Sequence, residues 1–257
     1  MDHVTISTSD GVQLSVRTWK PAGEPRAHVV LVHGFSASTA DQKVLAVAGG
    51  LTAAGFDVFA YDSRGHGRSG GATTLGNLER HDVAAAVEAV RATSTSAPLV
   101  VVGASMGAIA ALHYAVQSDA GQPGTPISGV VTVSCPAHWK LPRNARGVIS
   151  AVMTHTPFGR RFALRRMGVR VAPPMRRAAP PVELVTQVQV PLAIVHGRAD
   201  PFISVEDAEA LYAASNEPHR LDLVERLGHA LDPADVVTGP IVTAVDWVLS
   251  AERRADA

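Results

Sequence analysis

The chain has 257 residues, 46% apolar and 18% charged, with 23 basic residues balancing 23 acidic ones. This composition excludes a disordered chain and gives no reason to expect a nucleic-acid partner; it fits one globular domain with room for a small insertion. A single cysteine, Cys135, excludes an internal disulfide, and a polar N-terminus with no run of about 18 apolar residues predicts neither a signal peptide nor a membrane span, hence a soluble, cytoplasmic protein.

Val4 and Ile6, then Val12, Leu14 and Val16, alternate as two half-buried strands joined at Asp10-Gly11. His28–His33 is a short continuous apolar run, as in a strand covered on both faces. Similar runs recur at Val58–Tyr61, Leu99–Val102, Val130–Val133 and Leu192–Val195, with a weaker one at Leu221–Val224. Helical patterns lie between them at Asp41–Ala54, Leu75–Thr93, Met106–Val116, Val205–Ala214 and Pro233–Leu249. This alternation predicts an α/β fold: a mostly parallel central sheet with helices on both faces. Pro136 to Val182 breaks the rhythm. It offers no convincing strand, and it holds ten basic residues and no acidic one, leaving 13 basic against 23 acidic for the rest. The expected organisation is a core of residues 1–135 and 183–257 carrying a basic inserted cap at 136–182.

Gly103-Ala104-Ser105-Met106-Gly107 matches G-x-S-x-G, placed between a buried strand and a helix. A strand-to-helix turn this sharp has no room for side chains at its two glycine positions, and it lifts the serine hydroxyl clear of the sheet edge. A serine nucleophile needs a base, and the base an orienting acid. Among eleven histidines, His229 follows the last candidate strand. His33 should serve its own loop, His28 and His196 lie in or at strand ends, His81 and His113 fall in helices, and His3 and His219 read as surface positions. His138 and His155, in the insertion, could approach the pocket. The acid should follow a strand between serine and histidine. From Ala120 to Val182 there is no Asp or Glu, which leaves Asp200 after Leu192–Val195. Asp222, Glu225 and Asp232 are the neighbouring alternatives, while Glu206 and Asp207 suit a helix N-terminus. The oxyanion needs two amide donors, expected from Met106 and from Phe35 in His33-Gly34-Phe35-Ser36.

With His33-Gly34-Phe35, Asp62-Ser63-Arg64-Gly65-His66-Gly67, the Ser105 elbow, Gly197 to Asp200 and Gly228-His229 in this order, the chain resembles the α/β-hydrolase family. Within it, it is similar to monoacylglycerol lipases and lysophospholipases. The resemblance implies an architectural role for Arg64 and His66 and a cap over the pocket. Ala104 departs from close relatives, which often carry His or Tyr there. In the cap, Met153, Phe158, Phe162, Leu164 and Met167 either line an acyl channel or pack the cap onto the core. Its basic residues either draw an anionic substrate or lipid surface, giving peripheral membrane contact, or form a solvated face. The expected reaction is hydrolysis of a small-molecule ester or lipid through an acyl-enzyme, without metal or cofactor. Thioester, amide, peroxyacid or carbon–carbon cleavage by the same residues, or ligand binding without turnover, are the alternatives.

Overall fold

The computed structural model describes residues 4–94, 97–119, 126–139, 152, 154, 156–173 and 178–255. Its strands are β1 (Val4–Ser7), β2 (Gln13–Trp19), β3 (His28–Val32), β4 (Asp57–Tyr61), β5 (Leu99–Ala104), β6 (Gly129–Val133), β7 (Leu192–Gly197) and β8 (His219–Val224). They form one sheet in the order β1-β2-β4-β3-β5-β6-β7-β8. The β1–β2 and β2–β4 pairs are antiparallel and all others parallel, as the strand–helix alternation predicts. Strands β3, β5, β6 and β7 are buried along their whole length, which explains their unbroken apolar runs.

The helices are α1 (Gln42–Ala53), α2 (Arg80–Thr93), α3 (Met106–Asp119), α4 (Pro157–Met167), α5 (Pro181–Leu184), α6 (Val205–Ala214) and α7 (Ala234–Ala255). Helices α1 and α7 cover one face of the sheet, packing Val44, Leu51, Ile241 and Val245 onto Val29, Val100 and Val131. Helices α2, α3 and α6 cover the other, with Val83, Val87, Leu112 and Leu211 against Val30, Val101 and Ile194. By length and composition α7 could cross a membrane, with a mean hydropathy of 1.3 over its most apolar stretch. Its Val237, Ile241, Ala244 and Val248 are nonetheless buried in the core, so here it is a core helix.

Two elements differ from the sequence reading. Helix α2 starts at Arg80, not Leu75. The buried Glu79 carboxylate accepts hydrogen bonds from the Thr73 and Thr74 hydroxyls (2.6 and 2.7 Å) and the Thr74 and Gly76 amides (2.8 and 2.9 Å). That knot forces Leu75 and Gly76 to positive φ (62° and 104°), which a helix does not allow. The His219 side chain, read as a surface position, is stacked at 4.1 Å on Tyr212 and mostly covered.

The Asp62–Ser69 loop is built into the scaffold. Arg64 is buried and forks onto Asp82 and Asp10 at 2.7–2.9 Å. Asp62 accepts the Thr39 and Arg68 amides at 2.7 and 2.8 Å. A short strap around Arg170 pairs with this loop and with Thr73 beyond it: the Arg170 amide donates to the Gly65 carbonyl and the Thr73 amide to the Arg170 carbonyl, both at 2.8 Å.

Candidate active site

Ser105 sits between the last residue of β5 and the first of α3, with φ 52°. A Cβ on Gly103 would lie 2.4 Å from the Gly107 carbonyl oxygen, and one on Gly107 would lie 2.4 Å from that of Val32. Both glycines are therefore required where strand, turn and helix backbones pass. The elbow is tied to the sheet by the Ser105 amide, which donates to the Val133 carbonyl at 2.8 Å.

His229 follows β8, and its Nε2 lies 3.0 Å from the Ser105 hydroxyl oxygen. Its Nδ1 lies 2.8 Å from an Asp200 carboxylate oxygen. A carboxylate only accepts, so Nδ1 carries the proton and Nε2 is left bare to receive one from Ser105. The loops bearing Asp200 and His229 can approach because residue 197 is glycine: a Cβ there would fall 2.2 Å from the Leu227 carbonyl oxygen. The Asp200 side chain is 0% exposed and that of His229 24%. The other Asp200 oxygen accepts the Phe202 and Ile203 amides at 2.8 and 3.0 Å. Burial by itself would raise the Asp200 carboxyl, but the hydrogen bond and charge of His229 and these two amides outweigh it and hold it below its ordinary value.

The amides of Phe35 and Met106, the expected oxyanion donors, make no hydrogen bond to a protein acceptor among the described residues. A Cβ on Gly34 would touch the Ala104 carbonyl and the Ser105 Cβ at 3.3 Å, so this loop runs directly against the elbow. The Phe35 ring stands edge-on to buried His66 at 5.7 Å, and His66 is edge-on to His33 at 5.2 Å. Burial lowers both histidines, His66 to about 4, so the platform behind the donors is uncharged. Met106 Sδ lies 3.3 Å from the Thr73 hydroxyl oxygen, whose proton goes to Glu79.

The rival acids have other partners: Asp222 pairs with Arg220 at 2.8 Å, Glu225 with Arg198 at 2.8 Å and Asp232 with Lys43 at 3.0 Å. Asp207 accepts the Ala137 amide and the Ser204 hydroxyl, both at 3.0 Å, anchoring the start of the insertion. Among the rival histidines, His33 serves its own loop through Nδ1, 2.8 Å from the Gly34 carbonyl oxygen, and its Nε2 accepts the Ser63 amide of the next loop at 3.0 Å. His138 is exposed, while His3 and His155 fall outside the described residues.

The residues expected to line the pocket from the 136–182 segment differ in what the structure describes of them. Met153 lies outside the described residues. Phe158 and Phe162 stand on α4, 78% and 45% exposed. Helix α4 turns only Gly159 and Ala163 inward, capped by Thr156 and closed by left-handed Gly168.

Two residues near the triad escaped the sequence reading. The Phe202 ring lies 5.0 Å from His229 and is 47% exposed. Ser134, at the tip of β6, accepts the Ala230 amide at 3.0 Å. Position at a strand end was the one available signal for Ser134; nothing marked Phe202.

A family model described as serine aminopeptidase, S33 (Hydrolase_4) matches residues 23–158. An uncharacterised protein of Bacillus subtilis, YqkD, is 27% identical over 192 residues, 69% of this chain and 57% of its own length. A monoacylglycerol lipase of Mycolicibacterium smegmatis is 44% identical over 61 residues, 24% of this chain and 21% of that protein. This chain thus spans just over half of the first relative and about a fifth of the second. Among solved structures, the Pyrococcus furiosus esterase Pf2001 superposes with a TM-score of 0.74 at 23% identity, covering 97% of this chain and 89% of that one. This likeness shows that the two share the α/β-hydrolase fold.

Proposed function

The chain belongs to the serine aminopeptidase S33 family of α/β hydrolases, and from that premise we propose that it is a serine hydrolase cleaving carboxylic esters of small, lipid-like molecules. The reading is carried by one observation: Ser105, His229 and Asp200 form a continuous hydrogen-bonded chain with links of 3.0 and 2.8 Å. Ser105 Oγ attacks the ester carbonyl carbon as its proton passes to His229 Nε2. The new oxyanion is held by the Phe35 and Met106 amides. The tetrahedral adduct collapses, Nε2 returns the proton to the departing alkoxide, and an acyl-enzyme remains. Water then loses a proton to Nε2 as it attacks the acyl carbon; the bond from that carbon to Ser105 Oγ breaks, Nε2 returns the proton to Oγ, and the acid is released.

Esters are favoured over peptides with a free amino terminus. An ammonium group calls for a carboxylate at the pocket mouth. The segment from Ala120 to Val182 contains no Asp or Glu, and the Asp200 oxygens are committed to His229 and two amides. Residues 136–182 act in this reading as the cap, with Phe158, Phe162 and Leu164 beside Arg161 and Arg165 on the open side of α4. That mixed face suits an acyl chain or the surface of an anionic lipid. Buried, unpaired Cys135 fits a cytoplasmic location.

The test is labelling with a fluorophosphonate, followed by p-nitrophenyl and acylglycerol esters of increasing acyl length. Stoichiometric labelling and turnover are expected for the wild type, with both absent in Ser105→Ala. Turnover that persists in Ser105→Ala would overturn the reading, and thioester or amide cleavage outpacing every ester would move it to another bond.

A further inference from the structure

We infer that Ser134 is a positioning residue that fixes the distance between His229 and Ser105, an inference that rests on the triad proposed above. Strand β6 lies between β5, which carries Ser105, and β7, which leads to Asp200. Two consecutive residues at its tip bond the Ser105 elbow, the strand that leads to Asp200 and the loop of His229. The Val133 carbonyl accepts the Ser105 amide at 2.8 Å. The Ser134 amide donates to the Val195 carbonyl of β7 at 3.0 Å. The Ser134 hydroxyl oxygen accepts the Ala230 amide, next to His229, at 3.0 Å. The first two bonds need only backbone. The third needs a side chain that can accept.

The backbone on both sides of that third bond is unusual. Ser134 has φ 50° and Ala230 φ 56°, the left-handed region where glycine would be at ease. A glycine at 134 would relax the backbone and lose the acceptor; the chain keeps the acceptor. Ser134 is fully buried, so water cannot readily take its place. The histidine loop is also held by Leu227 and Leu231, both buried in the core, and by a few hydrogen bonds. The Leu227 carbonyl accepts the Ala199 amide at 3.1 Å before the histidine. After it come bonds internal to the loop, from Gly228 to Asp232 and from Asp232 to His229, and the half-exposed Lys43–Asp232 ion pair. Among the described residues, the Ser134 hydroxyl thus adds a buried, directional hydrogen bond from the sheet to the residue that follows the imidazole.

Ser134→Ala and Ser134→Gly both delete the acceptor, and the glycine variant also removes the positive-φ strain. A drift of the imidazole by about 1 Å loses about a hundredfold in rate. We expect kcat on p-nitrophenyl butyrate, and the rate of fluorophosphonate attachment to Ser105, to fall about 10- to 100-fold per folded molecule in both variants, with KM within about twofold. Ser134→Cys, close in size and a weaker acceptor, should fall between them and the wild type. Melting temperatures measured beside the kinetics separate positioning from a merely structural role. A merely structural Ser134 would lower the melting temperature of the alanine variant and leave kcat per folded molecule unchanged, and that result overturns the inference. A wild-type protein inert to both ester and probe would remove the triad, and the role of Ser134 with it.

Discussion

Asp200→Asn isolates the orienting acid of the proposed triad because the change is isosteric and both side-chain oxygens have known partners. One carboxylate oxygen faces His229 Nδ1 at 2.8 Å, and the other accepts the Phe202 and Ile203 amides at 2.8 and 3.0 Å. Asparagine has one oxygen and one NH2 with which to serve both sides. If the oxygen stays with the two amides, the NH2 points at Nδ1. The imidazole must then carry its proton on Nε2, facing Ser105, where it cannot act as base. If the amide group flips, His229 keeps the productive tautomer, but two backbone amides lose their acceptor. That costs up to about 6 kcal/mol, which populates the productive arrangement up to about 25 000-fold less. Loss of the carboxylate charge weakens the imidazolium further, so kcat should drop about 10³- to 10⁴-fold. The assay is p-nitrophenyl ester hydrolysis, with thermal unfolding to confirm that the fold persists. A variant keeping more than about a tenth of wild-type kcat would refute this account of the hydrogen bonds. Acid stability gives a second reading of the same group. The Asp200 carboxyl is held below its ordinary value of 3.8. Its contribution to stability is therefore complete above that value and is lost as pH falls through the lowered one; Asp200→Asn should flatten that part of the unfolding profile.

Arg64→Met leaves Asp82, whose side chain is 0% exposed, without its guanidinium partner; unfolding in urea should show a loss of about 3–5 kcal/mol. Two adjacent glycines of α1 should respond with opposite signs. A Cβ on Gly49 meets open space, so Gly49→Ala should stabilise by about 0.5–1 kcal/mol. A Cβ on Gly50 would lie 2.3 Å from Thr238 Cγ2 on α7, so Gly50→Ala should destabilise by about 1–3 kcal/mol, and equal urea midpoints would contradict the α1–α7 packing. The double variant Phe158→Ala/Phe162→Ala removes exposed rings, so stability should stay within about 0.5 kcal/mol. KM should rise for long-chain esters and not for acetate; an unchanged chain-length profile would take these rings out of substrate binding.

The parts of this molecule that could be read in the sequence are those whose constraints lie close together along the chain. Gly103, Ser105 and Gly107 fall within five residues, and the clash a side chain would make at either glycine is with the backbone of the same turn or of the adjoining strand β3. Asp200 was legible by elimination, because no carboxylate occurs between Ala120 and Val182. The hidden parts depend on partners far away. Ser134 meets Ala230 across 96 positions and Thr73 meets Met106 across 33, and no local pattern encodes either pair. The start of α2 was misread for a related reason. Val83, Val87 and Val90 keep helical spacing, but the preceding turn is spent on a buried carboxylate whose four donors become evident only once the chain has folded.

Strain marks the site more sharply than composition does. Among the described residues, the non-glycine positions with positive φ are Ser36, Leu75, Ser105, Ser134 and Ala230. Ser105 is the nucleophile of the proposed triad and Ala230 follows its histidine. Ser36 follows Phe35, the proposed oxyanion donor, Leu75 belongs to the loop that touches Met106, and the Ser134 hydroxyl bonds the histidine loop. Glycine would relieve the backbone at each position. Retaining a hydroxyl at 105 and 134 costs stability that only a positional demand explains, because both hydroxyls meet the histidine loop from neighbouring strand tips. The sheet supplies the rigid reference for that demand. Its parallel strands end side by side, so adjacent tips can fix two distant loops to a tolerance that either loop alone would not hold.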